Sequence, residues 1–285
     1  MNDFYFKEEK VLELLKQIQK NIIEKKKTLE KAFDLDYKEW EFKVETEKLI
    51  KIINQIKTQE YLPKFSKEKI IDGIGKIVLA SNQNPYLIFN FILSSLYTNN
   101  KVDVVLENKL LASNKVIIEL IKKSLKDLKY NQDIIGYIEA DNKEVIIEKQ
   151  NDYDLLYYFG NKEEYINFIK RIHIDSKFEN FGEIYVYVDS NEFENTFKDI
   201  DKFAYINEIN VKYYNTDFSQ VISSINKNNN INKMSIIFTK NIDKAYEFIK
   251  KIKTENVYIN INPCDSFEYT TNINNLVFTK NIKMK

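Results

Sequence analysis

Two stretches near the N-terminus have the spacing of amphipathic helices. From about Glu8 to Phe33, apolar residues recur every three or four positions, with charged residues between them. A second stretch with the same spacing covers Trp40–Ile56. Because no heptad pattern persists through both stretches, we do not predict a coiled coil. We expect a helical segment over residues 1–62 that packs on the main body and ends at the break marked by Pro63.

After this segment, short apolar runs alternate with helical patterns. The runs predicted as strands are Lys76–Ser81, Val102–Leu106, Ile134–Ile138, Tyr153–Phe159 and Glu183–Val188. The helices predicted between and after them are Pro85–Tyr97, Ser113–Leu128, Lys143–Lys149, Lys162–Ile172 and Asn191–Ile200. Strands that alternate with helices in this way predict an α/β fold, in which helices cover both faces of a Rossmann-like parallel sheet.

The pattern weakens after this alternation and then returns. Residues Ala204–Asn232 include the Asn- and Lys-rich stretch NKNNNINK, and we predict a loop there. The final part of the chain predicts a strand, a helix and two further strands. These elements are Met234–Thr239, Asn241–Ile252, Val257–Ile261 and Leu276–Thr279.

The charge balance bears on the class of partner. The chain has 43 basic and 43 acidic side chains, so its formal net charge is zero. A nucleic-acid-binding protein normally has a basic excess, so nucleic acid is not an expected partner. A net charge near zero weakens repulsion between copies, which favours a homo-oligomer or a partner protein. Arg171 is the only arginine, which is unfavourable for a phosphate clamp built on arginine.

Neither the N-terminus nor the cysteine usage suggests an exported or membrane protein. The first ten residues are charged and lead into a helical pattern, which is not typical of a signal peptide. The apolar run Tyr86–Tyr97 is shorter than the ~20 residues that span a bilayer. The single cysteine, Cys264, cannot form an internal disulfide. We therefore expect a cytoplasmic protein that does not bind a membrane.

Ligands of open parallel sheets bind beyond the carboxyl ends of the strands, so the turns there are the first candidates for a site. These turns are Ser81–Pro85, Glu107–Lys109 and Gly160–Lys162. Gly73 and Gly75 precede the first strand, whereas the glycines of a dinucleotide fingerprint follow one. We therefore interpret these two glycines as part of a turn.

Other residue types that often carry catalysis occur in unfavourable contexts. His173 could act as a general base, but its position favours an interaction with the carbonyl groups at a helix end. Cys264 lies in the turn sequence NPCD, where Asp265 offers no cation to lower the pKa of the thiol. Glu179 and Glu183 are a possible acid–base pair, although two glutamates are unremarkable in so charged a chain. No cluster of His and Cys residues predicts a metal site.

The order and spacing of several segments resemble the aldehyde dehydrogenase superfamily, and within it the pattern of glutamyl phosphate reductase. The segments are the turn at Pro85, VVLENKLLASNKVIIELIKKSLKDL, YDLLYYFGNKEEYINFIKRI, FGEIYVYVD, SIIFTKNIDKAYEFIKKIKTENVYININ and NNLVFTK. The resemblance implies a Rossmann-like cofactor-type domain over residues 63–203 and a much reduced catalytic domain, of which 204–233 is the remnant. Residues 234–285 would then return to the main domain and end in a strand of the oligomerisation type.

The resemblance also shows where functional residues differ from the family. In the family a nucleophilic cysteine follows the strand corresponding to EIYVYVD after one helix, but KFAYINEINVKYYN has no cysteine here. Cys264 falls near the later VYININ segment instead. The basic residue that contacts the cofactor is replaced by Glu107, whose carboxylate repels phosphates. The asparagine that helps to hold the oxyanion falls at Gln83 or Asn84.

The resemblance leaves only one residue that still matches the cofactor-domain turn after the fourth strand. Gly160 matches the glycine of that turn and Asn161 takes the usual hydroxyl position, which makes them vestigial cofactor-binding residues. These differences together predict a catalytically inactive relative with no catalytic residue, no expected cofactor, and a scaffold, binding or partner role. An alternative is a protein that binds a nucleotide or a small acid, with NAD or NADP as cofactor if the cleft is retained. A further alternative is an active NAD(P)-dependent reductase that uses Cys264.

Overall fold

The structure is a computed structural model in which the chain forms two compact units. It describes residues 6–37, 45–60, 62–66, 69–81, 84–107, 111–180, 182–189, 197–198, 200–201, 203–204, 209–227, 233–254, 256–261 and 271–281. The first unit comprises Met1–Phe159, Tyr165–Phe178 and Tyr269–Lys285, and the second comprises Gly160–Glu164 and Glu179–Glu268. Among the described residues, no helix is both long and apolar enough to cross a membrane.

Three helices form the N-terminal part of the first unit. They are α1 (Glu8–Glu24), α2 (Lys26–Tyr37) and α3 (Thr46–Lys57). The predicted helix over Glu8–Phe33 is thus two helices, because the backbone leaves the helical conformation at Lys25, with φ −102° and ψ 15°. The apolar stripes of α1 and α3 are buried, as their spacing predicted. Trp40, the predicted start of the next helix, lies outside the described residues.

A five-stranded sheet forms the main body of the first unit. Its strands are β3 (Lys76–Ala80), β4 (Lys101–Glu107), β5 (Ile135–Ala140), β6 (Leu155–Phe159) and β7 (Asp175–Glu179). Its helices are α4 (Pro85–Tyr97), α5 (Leu111–Asp127), α6 (Val145–Lys149) and α7 (Lys162–Ile169). The strand order is β5-β4-β3-β6-β7, and β3, β4, β5 and β6 are parallel. The predicted Rossmann-like α/β fold is confirmed.

Successive side chains of a strand point to opposite faces of the sheet, and both faces of this sheet are covered by helices. On one face, Leu156 and Tyr158 of β6 pack in a cluster with Ile146 of α6 and Phe168 of α7. On the other face, the ring of Tyr157 lies 4.7 Å from that of Phe91 on α4. A strand that is apolar at every position, such as LLYYF, needs such a double cover.

A three-stranded antiparallel sheet also belongs to the first unit. Its strands are β1 (Lys64–Phe65), β2 (Lys69–Gly73) and β12 (Val277–Asn281), in the order β1-β2-β12. The first two were not predicted, since they are short and only partly apolar. The turn predicted at Gly73 and Gly75 joins β2 to β3, and Gly75 has a φ of 138° that favours glycine.

The second unit contains its own four-stranded parallel sheet. Its strands are β8 (Glu183–Val188), β9 (Asn210–Tyr214), β10 (Lys233–Phe238) and β11 (Asn256–Ile259), in the order β11-β10-β8-β9. Helices α8 (Phe218–Lys227) and α9 (Ile242–Lys251) bury their apolar sides against one face, beside Tyr185 and Tyr187. Ile184 and Val186, which alternate with these tyrosines, pack in a separate cluster on the other face.

This sheet corrects two expectations from the sequence. Glu183–Val188 is not a fifth strand of the first sheet but a central strand of the second. The loop predicted over Ala204–Asn232 contains β9 and α8. Sequence reasoning missed β9 because it is an edge strand with mostly exposed side chains, so it has no apolar run. The division of the chain at residues 62, 203 and 233 stays a prediction, since the compact units are discontinuous in sequence.

Candidate functional site

The strand order places a topological switch point in the first sheet between β3 and β6. From β3 the chain continues to β4 and β5 on one side, and it then returns to β6 on the other side of β3. Ala80 pairs with Tyr158, so the carboxyl ends of these two strands lie side by side. A crevice at such a point is the usual ligand site of an open α/β sheet. The residues at these strand ends are therefore the first candidates.

The polar side chain at the end of the turn after β3 caps the helix that follows. Asn84 is fully buried, and its side-chain oxygen accepts hydrogen bonds from the backbone N–H groups of Tyr86 and Leu87 at 2.9 and 3.3 Å. Pro85 follows at the first position of α4, where a missing N–H group costs nothing. Asn84 is thus an N-cap of α4. Gln83, the other candidate for the oxyanion residue, lies outside the described residues.

A lysine faces the carboxylate that ends β4. The Nζ atom of Lys143 lies 3.9 Å from the Glu107 carboxylate and 5.0 Å from the ring centroid of Tyr158. Lys143 belongs to the loop after β5, so it stands at the carboxyl edge of the sheet. It partly offsets the charge that Glu107 brings to this edge. Sequence reasoning did not identify Lys143 as a candidate site residue. Its position three residues beyond the end of β5 could have indicated that it lies at the carboxyl edge of the sheet.

Gly160 and Asn161, the predicted vestigial cofactor-binding residues, form the start of α7. The Gly160 N–H donates to the carbonyl oxygen of Glu179 at 3.1 Å. The Asn161 side-chain oxygen accepts from the N–H groups of Glu163 and Glu164 at 2.7 and 3.3 Å. Donors that could hold a phosphate are therefore taken by the protein, and two carboxylates stand in the first turn. A cofactor role for these two residues stays a prediction.

The remaining sequence candidates are separated or engaged elsewhere. His173 is exposed and lies four residues beyond the end of α7, and its backbone N–H donates to the side-chain oxygen of Gln150 at 2.7 Å. Arg171 forms a two-point ion pair with Glu144 at 2.9 and 2.5 Å. The Glu183 carboxylate, at the amino end of β8, accepts from the Tyr185 hydroxyl and pairs with a lysine at 2.9 Å.

A possible reactive cysteine and a possible metal site are the last two candidates. Cys264 lies in the stretch 262–270, which is outside the described residues. Within the described ranges, no three His, Cys, Asp or Glu side chains come together as a possible metal site.

A second switch point lies in the sheet of the second unit, between β8 and β10. Asp189 follows β8, and its carboxylate accepts from the Thr239 hydroxyl at 2.7 Å and from the Lys244 ammonium at 2.5 Å. The hydrogen bond from Lys244, followed by that from Thr239, lowers the pKa of Asp189. The same bond to Asp189 raises the pKa of Lys244. None of these three residues was singled out from the sequence.

The backbone at this edge is held by Asn260, which follows β11. Asn260 has a φ of 52°, a left-handed conformation that asparagine tolerates better than most residues. Its side chain accepts from the Thr239 N–H and donates to the Thr239 carbonyl, both at 2.9 Å. We name Asp189, Thr239, Lys244 and Asn260 the switch-point network. Its polar atoms satisfy one another, which is the arrangement expected of a structural network.

We expect Asp189→Asn to lower the free energy of unfolding by about 1 kcal/mol at pH 7, because it removes the charge that binds Lys244. The expected change in the free energy of unfolding is small because the Lys244 side chain is 36% exposed and solvent screens the ion pair. Urea unfolding of both proteins measures the difference. Glu247→Gln, which removes an exposed carboxylate paired with Lys251, is the control and should change stability by less than about 0.5 kcal/mol.

This difference should depend on pH in a defined direction. Because the folded-state pKa of Asp189 is lowered, its stabilisation is present above the unfolded pKa of about 3.9 and is lost as pH falls through the folded value. The gap between wild type and Asp189→Asn should therefore be constant from about pH 5 to 8 and should shrink below about pH 4. A gap that persists at the lowest pH would show that charge is not the cause.

Comparison with known proteins gives matches in structure and none in sequence. No protein-family model matches the chain, and no curated protein matches its sequence. The γ-glutamyl phosphate reductase of Thermotoga maritima is 14% identical, with a TM-score of 0.61 over 97% of this chain and 93% of that one. Aldehyde dehydrogenase 21 of Physcomitrella patens, solved with the product succinate, is 10% identical, with a TM-score of 0.68 over 98% and 86%.

A third structure of this group contains a nicotinamide cofactor. The glyceraldehyde-3-phosphate dehydrogenase GapN of Methanocaldococcus jannaschii, in complex with NADP, is 10% identical, with a TM-score of 0.63 over 97% of this chain and 90% of that one. Identities this low establish the fold alone. The chain therefore has the fold of the aldehyde dehydrogenases and γ-glutamyl phosphate reductases, and at that level the resemblance predicted from the sequence is confirmed.

Proposed function

We propose that this protein is a catalytically inactive member of the aldehyde dehydrogenase fold with a scaffold, binding or partner role. One observation carries the proposal: the segment that leads from β8 to β9, residues 189–209, contains no cysteine. The resemblance places the nucleophile of these enzymes in that segment. The only cysteine, Cys264, comes after β11, on another part of the chain. Covalent catalysis of the family type therefore lacks its nucleophile.

The cofactor turn gives independent support. Asn161 uses its side-chain oxygen to cap α7, and Glu163 and Glu164 place negative charge in the first turn of that helix. Free N–H groups at a helix N-terminus attract an anion, and nearby carboxylates repel it. Here N–H groups of the first turn are capped and two carboxylates are present, so the binding of an anion is disfavoured. A nicotinamide dinucleotide would lose the usual interactions of its pyrophosphate at this turn.

The much reduced catalytic domain stays a prediction. The second unit contains a four-stranded parallel sheet with two helices on one face. The proposal is therefore based on the missing reactive groups. A sheet that keeps its core without the reactive groups is consistent with a scaffold role.

The proposal predicts that nucleotides will not stabilise the protein. We expect no increase in melting temperature with NAD, NADP or ATP at millimolar concentration, and no NAD(P)-linked turnover of aldehydes or acyl phosphates. A ligand present at 100 times its Kd would add about 2.7 kcal/mol of stability, a shift of several degrees. An active γ-glutamyl phosphate reductase serves as the positive control. Measurable turnover would overturn the proposal.

The alternative, a nucleotide- or small-acid-binding protein, is favoured by a single contact. Lys143 neutralises part of the Glu107 charge at the switch point of the first sheet, so an anion there meets less repulsion. If a nucleotide does raise the melting temperature, Lys143→Ala should reduce the shift. Lys115→Ala, which breaks a 2.6 Å pair with Glu139, is the matched control and should leave the shift unchanged.

Self-association is the part of the partner role that the chain supports most directly. The formal net charge is zero, so copies do not repel one another strongly. The resemblance implies that the C-terminal strand serves oligomerisation. Among the described residues, β12 is an edge strand of its sheet, with Phe278 44% exposed. An unpaired strand edge with an apolar side chain is a surface suited to pairing.

A further inference from the structure

Helix α9 has an unusual concentration of exposed apolar side chains. Ile242, Tyr246 and Ile249 are 67%, 60% and 44% exposed, although the helix has only ten residues. They stand at positions i, i+4 and i+7, which places them on one side of the helix. Ala245 and Phe248 of the same helix are buried, and Phe248 packs against the sheet. We name Ile242, Tyr246 and Ile249 the α9 stripe.

We propose that the α9 stripe is the interface of a homodimer, in which α9 of one copy packs antiparallel against α9 of a second copy. This inference deepens the self-association part of the proposed function, and it does not depend on the absence of catalysis. With a two-fold axis near Tyr246, the stripe is complementary to itself. Ile242 of each copy meets Ile249 of the other, and the two Tyr246 rings meet at the axis.

The charges beside the stripe favour a second copy of this chain as its binding partner. Asp243 and Lys250 are exposed and lie seven positions apart on the same flank. In the antiparallel arrangement, Asp243 of each copy faces Lys250 of the other, so two pairs of opposite charge form across the axis. The ion pairs that the described part of α9 forms within the chain use Lys244 and Lys251 instead. In a parallel arrangement the two-fold axis runs along the helices and puts this flank on opposite sides of the pair, so Asp243 and Lys250 would not pair across the axis.

The size of the stripe sets the expected strength. A helix of ten residues is about 15 Å long, so the buried area falls in the class below about 1,200 Å² that is typical of weak complexes. We therefore expect a dissociation constant in the micromolar range. Sedimentation equilibrium of the full chain over about 1–200 μM covers this range and gives the constant directly.

A charge-swap series tests the antiparallel pairing. Asp243→Lys and Lys250→Asp should each weaken the dimer at least about fivefold, because each creates two pairs of like charge across the axis. The double variant should return the constant to within about twofold of wild type, because the pairs are again opposite. Lys227→Asp, the same charge change at an exposed position of α8, should have no effect. Absence of rescue in the double variant would overturn the proposal.

Cross-linking tests the position of the axis. In a Cys264→Ser background, Tyr246→Cys should form a disulfide-linked dimer under oxidising conditions, and Lys227→Cys should not. A dimer that Phe278→Lys abolishes, but that the α9 variants leave intact, would overturn this inference and would leave self-association standing. A wild-type chain that is monomeric at every concentration would overturn both. Neither result would bear on catalysis.

Discussion

Replacement of Phe248 by alanine is expected to lower the free energy of unfolding by about 4 kcal/mol. Phe248 is fully buried and packs between α8 and the second sheet, beside Val221, Tyr185 and Ile237. Its ring centroid is 6.3 Å from that of Phe218. Truncation removes most of the side chain and leaves a cavity that the flanking β-branched and aromatic residues fill poorly. Both losses destabilise the folded state.

Two variants separate this packing effect from a general effect of mutating α9. Phe248→Leu keeps most of the buried volume and should cost less than half as much as alanine. Lys251→Ala changes an exposed side chain of the same helix and should stay within about 0.5 kcal/mol of wild type. Chemical denaturation followed by circular dichroism measures all three. Similar losses for alanine and leucine would show that the cavity is not the cause.

The first unit was largely predictable where its strands are apolar at nearly every position, whereas β7, with the sequence DSKFE, has no such run and was not predicted. LLYYF and KIVLA are short runs that only a doubly covered strand explains, and Pro85 with its preceding asparagine marks the start of a helix. The predicted helix Pro85–Tyr97 agrees with the structure at both ends. The other predicted ends of the first sheet and its helices agree with the structure within three residues, a spread that reflects fraying, which the pattern does not specify.

The second sheet was less predictable because its edge carries little apolar signal. β9 alternates weakly and exposes Lys212 and Tyr213, and α8 buries only three side chains. Nor does a pattern of buried residues reveal which strands share a sheet. Glu183–Val188 has the sequence of any central parallel strand, and only its pairing with β9 and β10 assigns it to the second sheet.

The candidate sites show the same limit in a different form. The sequence identified Gly160 and Asn161 by their place after a strand, but not that the Asn161 side chain would cap the following helix. Lys143 and Lys244 were missed because long side chains reach partners far along the chain. Glu107 lies 36 positions before Lys143, and Asp189 lies 55 positions before Lys244. Such pairs depend on which strand ends are neighbours, and the topology decides this.

Asn100→Ala is expected to lower the free energy of unfolding by about 3 kcal/mol, more than any other polar change considered in this chain. Asn100 is fully buried and immediately precedes β4. Its side chain accepts from the Gly75 N–H at 3.0 Å and donates to the Leu276 carbonyl and the Thr98 hydroxyl, both at 2.8 Å. Alanine leaves the part-buried Gly75 N–H and the buried Leu276 carbonyl without this partner.

The substitution of Asn100 by aspartate distinguishes lost hydrogen bonds from lost volume. Aspartate has the size of asparagine and keeps the acceptor for Gly75, but it cannot donate to Leu276 and it buries a charge. It should therefore destabilise at least as much as alanine. Asn167→Ala, at an exposed position whose side chain accepts from Lys170, should stay within about 0.5 kcal/mol. A near-wild-type aspartate variant would show that Asn100 acts by filling space, and that the C-terminal strand is held by β2 alone.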